Sequence, residues 1–189
     1  MITKTLILLF SSLLACTPVL EVDDSGVEEV VLGVHTDNNC SQIPGQRICN
    51  LALKDQNDKV WQLYSLKGNV ILLDFSAMWC SPCQSAAATI QKTQDDYESK
   101  GFKYVTILVD DPAGESIGLY DVQAWVNNYG INTATVLQGN RELVDYDAIE
   151  GYPLASWPTF VFVDRDLNIY YGVYGFDEEF IRSKIEEML

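Results

Sequence analysis

Cys80 and Cys83 stand in a Cys-x-x-Cys spacing directly after the apolar run Val70-Ile71-Leu72-Leu73-Asp74-Phe75-Ser76, and a helix-like pattern follows them. That order places the first sulfur at the mouth of a helix. There the unpaired backbone N–H groups and the positive end of the dipole favour thiolate over thiol. The second sulfur lies within reach of the first and can close a disulfide with it. Cys80 is therefore expected to act as nucleophile, or as leaving group in the reverse direction, with Cys83 as the resolving thiol. Pro82 suits the first helical turn, where a missing N–H is no loss.

Asp74 stands inside an otherwise apolar strand. A carboxylate buried there without a partner is costly, so its pKa is expected to rise toward neutrality. Strand alternation puts Leu72, Asp74 and Ser76 on one face. The competing reading is an acid that reaches solvent at the strand end. An inert disulfide or half of a zinc site would also account for the cysteine pair. Zinc normally requires a second pair or histidines, and the only histidine, His35, lies in a different segment. No metal or bound cofactor is expected.

The elements that must hold these groups can be read along the chain. Leu51 to Asp55 and Val60 to Leu63 form a hairpin, and Val70 to Ser76 is the central strand. A helix over 84–100 ends at Gly101, a favoured terminator. Phe102 to Val109 is a strand stopped by Asp110-Asp111-Pro112, and Tyr120 to Tyr129 is a helix followed by Gly130. Thr135 to Leu137 reads as a strand, and 141–149 as a turn or short helix. Thr159 to Val163 and Ile169 to Tyr174 make a last hairpin, before a helix over 177–188 capped by Asp177. Val30 to Val34 is a candidate for one added strand.

The chain has 189 residues, enough for one domain with extensions, and 12 basic against 27 acidic residues give a formal charge of -15. That balance argues against nucleic acid, which needs Lys and Arg clusters, and weakens adhesion to anionic lipid. Lys4 precedes an apolar stretch from Leu6 to Leu14, too short for a spanning helix. It ends in Leu13-Leu14-Ala15-Cys16, which resembles the bacterial lipobox. The resemblance implies a signal peptide over 1–15, lipidation at Cys16 and a lipid anchor to a membrane of the cell envelope. Residues 16–45 then form an acidic tether and N-terminal extension, and 46–189 the folded domain. Lipidation of Cys16 would explain the odd count of five cysteines. Export would let a disulfide persist. The remaining pair, Cys40 and Cys49, reads as a structural disulfide, or alternatively as a second redox pair or, with His35, a copper site.

The stretch from Val70 to Cys83 resembles the active-site strand and loop of thioredoxins. From about Asn50 to Leu189 the chain is most similar to the extracytoplasmic TlpA/ResA-like thiol-disulfide oxidoreductases. Tyr64-Ser65-Leu66-Lys67-Gly68-Asn69 looks like that family's lead into the central strand, and Ser156-Trp157-Pro158-Thr159 like its cis-proline loop. The resemblance implies a thioredoxin-like α/β fold, a mixed sheet flanked by helices with an insertion after the active-site helix. It further implies that Asp74 assists deprotonation of Cys83, and that Pro158 is cis and faces the cysteines. Trp79 and Trp157 are then expected to flank the site as substrate-binding surface. Ser76 departs from the family, where many relatives carry an aromatic residue. The function implied is disulfide exchange with exported proteins, reduction above all, fed by a membrane electron donor. Two rivals remain: a non-enzymatic module holding a client or copper, and a peroxidase of the peroxiredoxin group. The second would need a Pro-x-x-x-Thr/Ser-x-x lead, which Cys80 lacks.

Overall fold

The computed structural model describes residues 30–37, 39–147 and 150–189; the expected leader and Cys16 lie outside the described residues. An eight-stranded mixed sheet forms the centre. Its strands are β1 (Gly33–His35), β2 (Asn50–Asp55), β3 (Val60–Gln62), β4 (Val70–Ser76), β5 (Phe102–Leu108), β6 (Thr135–Gln138), β7 (Thr159–Val163) and β8 (Ile169–Tyr174). They run in the order β1-β2-β6-β5-β4-β7-β8, with β3 on β2.

β4 lies inside the sheet, parallel to β5 and antiparallel to β7, so Asp74 has Thr106 on one side and Phe160 on the other. Every residue of β4 is buried. That explains why its sequence is a continuous apolar run and makes its one carboxylate conspicuous. Among the described residues, four α-helices accompany the sheet: α1 (Ser81–Ala87), α2 (Ile90–Tyr97), α3 (Leu119–Tyr129) and α4 (Glu178–Met188). α3 and β6 follow β5 in the chain and carry it to the far side of that strand before it returns to β7.

The helix expected as one piece over 84–100 begins at Ser81 and is broken at Ala88-Thr89. The Thr89 hydroxyl and backbone N–H both donate to the Ala86 carbonyl, each at 2.9 Å. A short side-chain hydroxyl thus competes for backbone bonding and ends α1. The run then closes through a 3-10 turn at Glu98–Lys100 onto Gly101, whose φ of +81° only glycine adopts freely. Val30 to Val34 shifts slightly, to β1, which pairs antiparallel with β2. The segment after β1 is stitched to the other edge of the sheet. Gly45 N–H donates to the Ile169 carbonyl at 2.7 Å, and Ile48 N–H to the Leu167 carbonyl at 2.8 Å.

Candidate active site

Cys80 is the cap of α1, with extended backbone at φ -84° and ψ 115°, and its sulfur accepts the Cys83 N–H at 3.3 Å. β4 delivers the chain to that point, and the missing donor of Pro82 lets α1 start beside it. The two cysteines are joined as a disulfide with their Cα atoms 5.2 Å apart. Both residues are buried, Cys80 at 4% and Cys83 at 0% exposure. What separates them is position. Cys80 lines a groove of about 560 Å³, and Cys83 is not part of its wall.

The groove is walled on one side by Trp79, Ser81 and Pro82 and on the other by Leu154 to Trp157, with Arg141, Val144 and Tyr146 completing it. Trp79 is 47% exposed. Trp157 is half-buried against the core, and the Trp157–Pro158 peptide bond is cis. A groove lined by one cysteine and two tryptophans has the layout of a cleft for an extended chain segment, aromatic walls supplying apolar contact.

Asp74, on the strand that leads to Cys80, is 1% exposed, so the reading of an acid that reaches solvent does not hold. Desolvation pushes its pKa from 3.8 up to about 7, against the opposing pull of the Ser76, Tyr104 and Thr106 hydroxyls. The Ser76 hydroxyl donates to Asp74 Oδ1 at 2.6 Å, and the Tyr104 hydroxyl to Oδ2 at 3.2 Å. Burial, with the neighbouring Asp74 charge second, raises the Tyr104 phenol far above its ordinary range, so it stays a donor. A carboxyl that titrates near neutrality can take up or release a proton during turnover.

Arg141 on the groove wall and Asp110, which holds it, escape local sequence reading. Asp110, only 1% exposed, accepts the Trp79 indole N–H on Oδ2 at 3.0 Å. Its Oδ1 accepts Arg141 Nε at 2.7 Å, and Arg141 Nη2 closes on Oδ2. The Asp110 carbonyl also receives Met78 N–H at 3.0 Å. Arg141 in turn lies over the Trp157 ring, 5.9 Å from its centroid. One buried carboxylate therefore ties both groove walls together. A signal for it existed: Asp110 comes just past the C-terminal end of a strand parallel to β4, the end of such sheets where sites gather.

Cys40 and Cys49 are bonded as well, with Cα atoms 4.8 Å apart, and neither lines the groove. The His35 ring nitrogen Nε2 lies 2.6 Å from the Val31 carbonyl oxygen. Among the described residues, no group of three or more His, Cys, Asp or Glu could hold a metal ion. Nor is any helix of those residues long and apolar enough to cross a membrane.

Comparisons with known proteins agree with this arrangement. A model of the AhpC/TSA family matches residues 44–172, more than half of the chain. The thiol-disulfide oxidoreductase ResA of Bacillus subtilis is 28% identical over 126 residues, which are 67% of this chain and 64% of that protein's length. The thioredoxin domain of a thiol-disulfide oxidoreductase from Bacteroides vulgatus superposes with a TM-score of 0.64 at 18% identity, covering 79% of this chain and 100% of that one. A thioredoxin-family thiol:disulfide interchange protein from Chlorobium tepidum gives 0.60 at 23% identity, covering 81% and 98%. The fold is thioredoxin-like.

Proposed function

The chain belongs to the AhpC/TSA family, and we propose that within it this protein is a thiol-disulfide oxidoreductase acting on exported proteins, as a reductant. The observation that carries the reading is the bonded Cys80–Cys83 pair at the head of α1, with only Cys80 on the groove. In the reduced protein Cys80 attacks a client disulfide as thiolate, forming a mixed disulfide and releasing one client sulfur. Asp74 takes the proton of Cys83, and the Cys83 thiolate attacks Cys80. The Cys80–Cys83 bond forms, the bond to the client breaks, and the second client sulfur leaves as a thiol. Two electrons have passed to the client, and a membrane dithiol donor restores the site.

The ResA name carried by the Bacillus subtilis relative supports this class of chemistry. Trp79, Trp157 and Pro158 form the client-binding face in this reading, and Cys40–Cys49 is a structural staple. Export by a signal over 1–15, lipid attachment at Cys16 and residence at the extracytoplasmic face of the membrane complete the proposal, on the strength of the lipobox-like sequence. Reduction of the apocytochrome c disulfide to its thiols, or of misoxidised proteins, is the client class it favours. Insulin reduction with a small dithiol tests the activity. The wild type should accelerate it and Cys80→Ser should not; a wild type without activity overturns the reading.

A further inference from the structure

We infer that Ser76, together with Tyr104, is a positioning residue that holds the Asp74 carboxylate and sets the pH at which it takes the proton of Cys83. This rests on the reading of Asp74 as that base. The geometry gives each carboxylate oxygen one hydroxyl, Ser76 on Oδ1 and Tyr104 on Oδ2. Both donors are themselves fixed. The Ser76 carbonyl accepts Val109 N–H at 2.9 Å, which locks the end of β4 to the chain beyond β5. Tyr104 N–H donates to Gln94 Oε1 of α2 at 2.7 Å, and its ring meets Phe102 edge-on with centroids 6.4 Å apart.

Packing alone does not ask for a hydroxyl at position 76, which is 0% exposed. An apolar side chain would fill that space at no desolvation cost. The hydroxyl does something an apolar group cannot, since it donates to the charged carboxylate and favours it over the neutral acid. From β5 Asp74 also meets Thr106, and from β7 the apolar Phe160. Among the described residues, no lysine, arginine or second carboxylate is a cause of its shift. The hydroxyls are thus the counterweight to desolvation, and Ser76, at 2.6 Å, is the nearer donor.

Stopped-flow single turnovers of the reduced protein with a peptide disulfide, from pH 5 to 9, test this through the resolution phase. The Ser76→Ala variant should move the midpoint of that phase upward by about one pH unit, which slows it about fivefold at pH 7 and converges on the wild type by pH 9. Ser76→Thr, which keeps the hydroxyl, should restore the wild-type profile, and Tyr104→Phe should shift it upward as well. A Ser76→Ala profile that overlays the wild type, or lies below it by one factor at every pH, overturns the inference. Asp74→Asn separates the two levels. If that variant resolves at the wild-type rate, the base reading itself fails; if it is slow while Ser76→Ala is unchanged, only the role of Ser76 fails.

Discussion

Trp79 donates its indole N–H to Asp110, so the residue beside Cys80 is anchored to the chain beyond β5. The same carboxylate holds Arg141, which leans over Trp157 on the opposite wall. Replacing Asp110 by Ala leaves the half-exposed Trp79 indole donor and the exposed Arg141 guanidinium without their acceptor. Stability should fall by about 1 kcal/mol in urea unfolding, because water can solvate both stranded donors. Client KM should rise several-fold, with kcat changed less, because the sulfurs keep their places while the walls loosen. A variant that loses kcat alone would contradict this division.

The burial of Asp74 has a cost that varies with pH. In the folded protein its proton is held up to about pH 7, whereas the unfolded chain releases it near 3.8. Between those values the folded state binds more protons, so stability falls as pH rises and levels off above about 7. The full effect is on the order of 4 kcal/mol. Asp74→Asn removes it, and the Asn side-chain carbonyl still offers Ser76 an acceptor. Urea unfolding should find this variant the more stable at pH 8, with the gap closing toward pH 4. Equal stability at both pH values would show that the carboxylate is not buried as described.

Cys40 and Cys49 clamp the segment that joins β1 to the rest of the sheet. Their loop is short, so the chain-entropy argument puts the contribution at about 2–3 kcal/mol. The Cys40→Ser and Cys49→Ser double variant should lose that much in denaturant unfolding and keep its insulin-reducing activity, since neither sulfur lines the groove. Loss of activity in a fully folded variant would assign the pair a redox role.

The features legible in the sequence are those written locally. The β4 run, the suitability of Pro82 for the first turn of α1, the turn at Gly101 and the Thr-Phe-Val-Phe-Val strand behind Pro158 each declare themselves within a few residues. Contacts between distant residues left no such trace. Asp110 read as the stop of a strand because the sequence cannot show that Arg141, 31 positions away, reaches back to it. Ser76 read as a departure from the family because its meaning depends on the carboxylate that alternation sets beside it and on a tyrosine from the next strand. The break at Thr89 hid for another reason. Its flanks are good helix formers, and only the hydroxyl's bond to Ala86 reveals the interruption.

Everything in this account depends on Cys80 being ionised and reachable when the pair is reduced. Its direct test is the rate of iodoacetamide alkylation of the reduced protein against pH, with mass spectrometry assigning the modified residue. Cys80 should react first and with a midpoint below the free-cysteine value of about 8.5, lowered by the head of α1. A midpoint at or above the free-cysteine value, or alkylation of Cys83 ahead of Cys80, would contradict it.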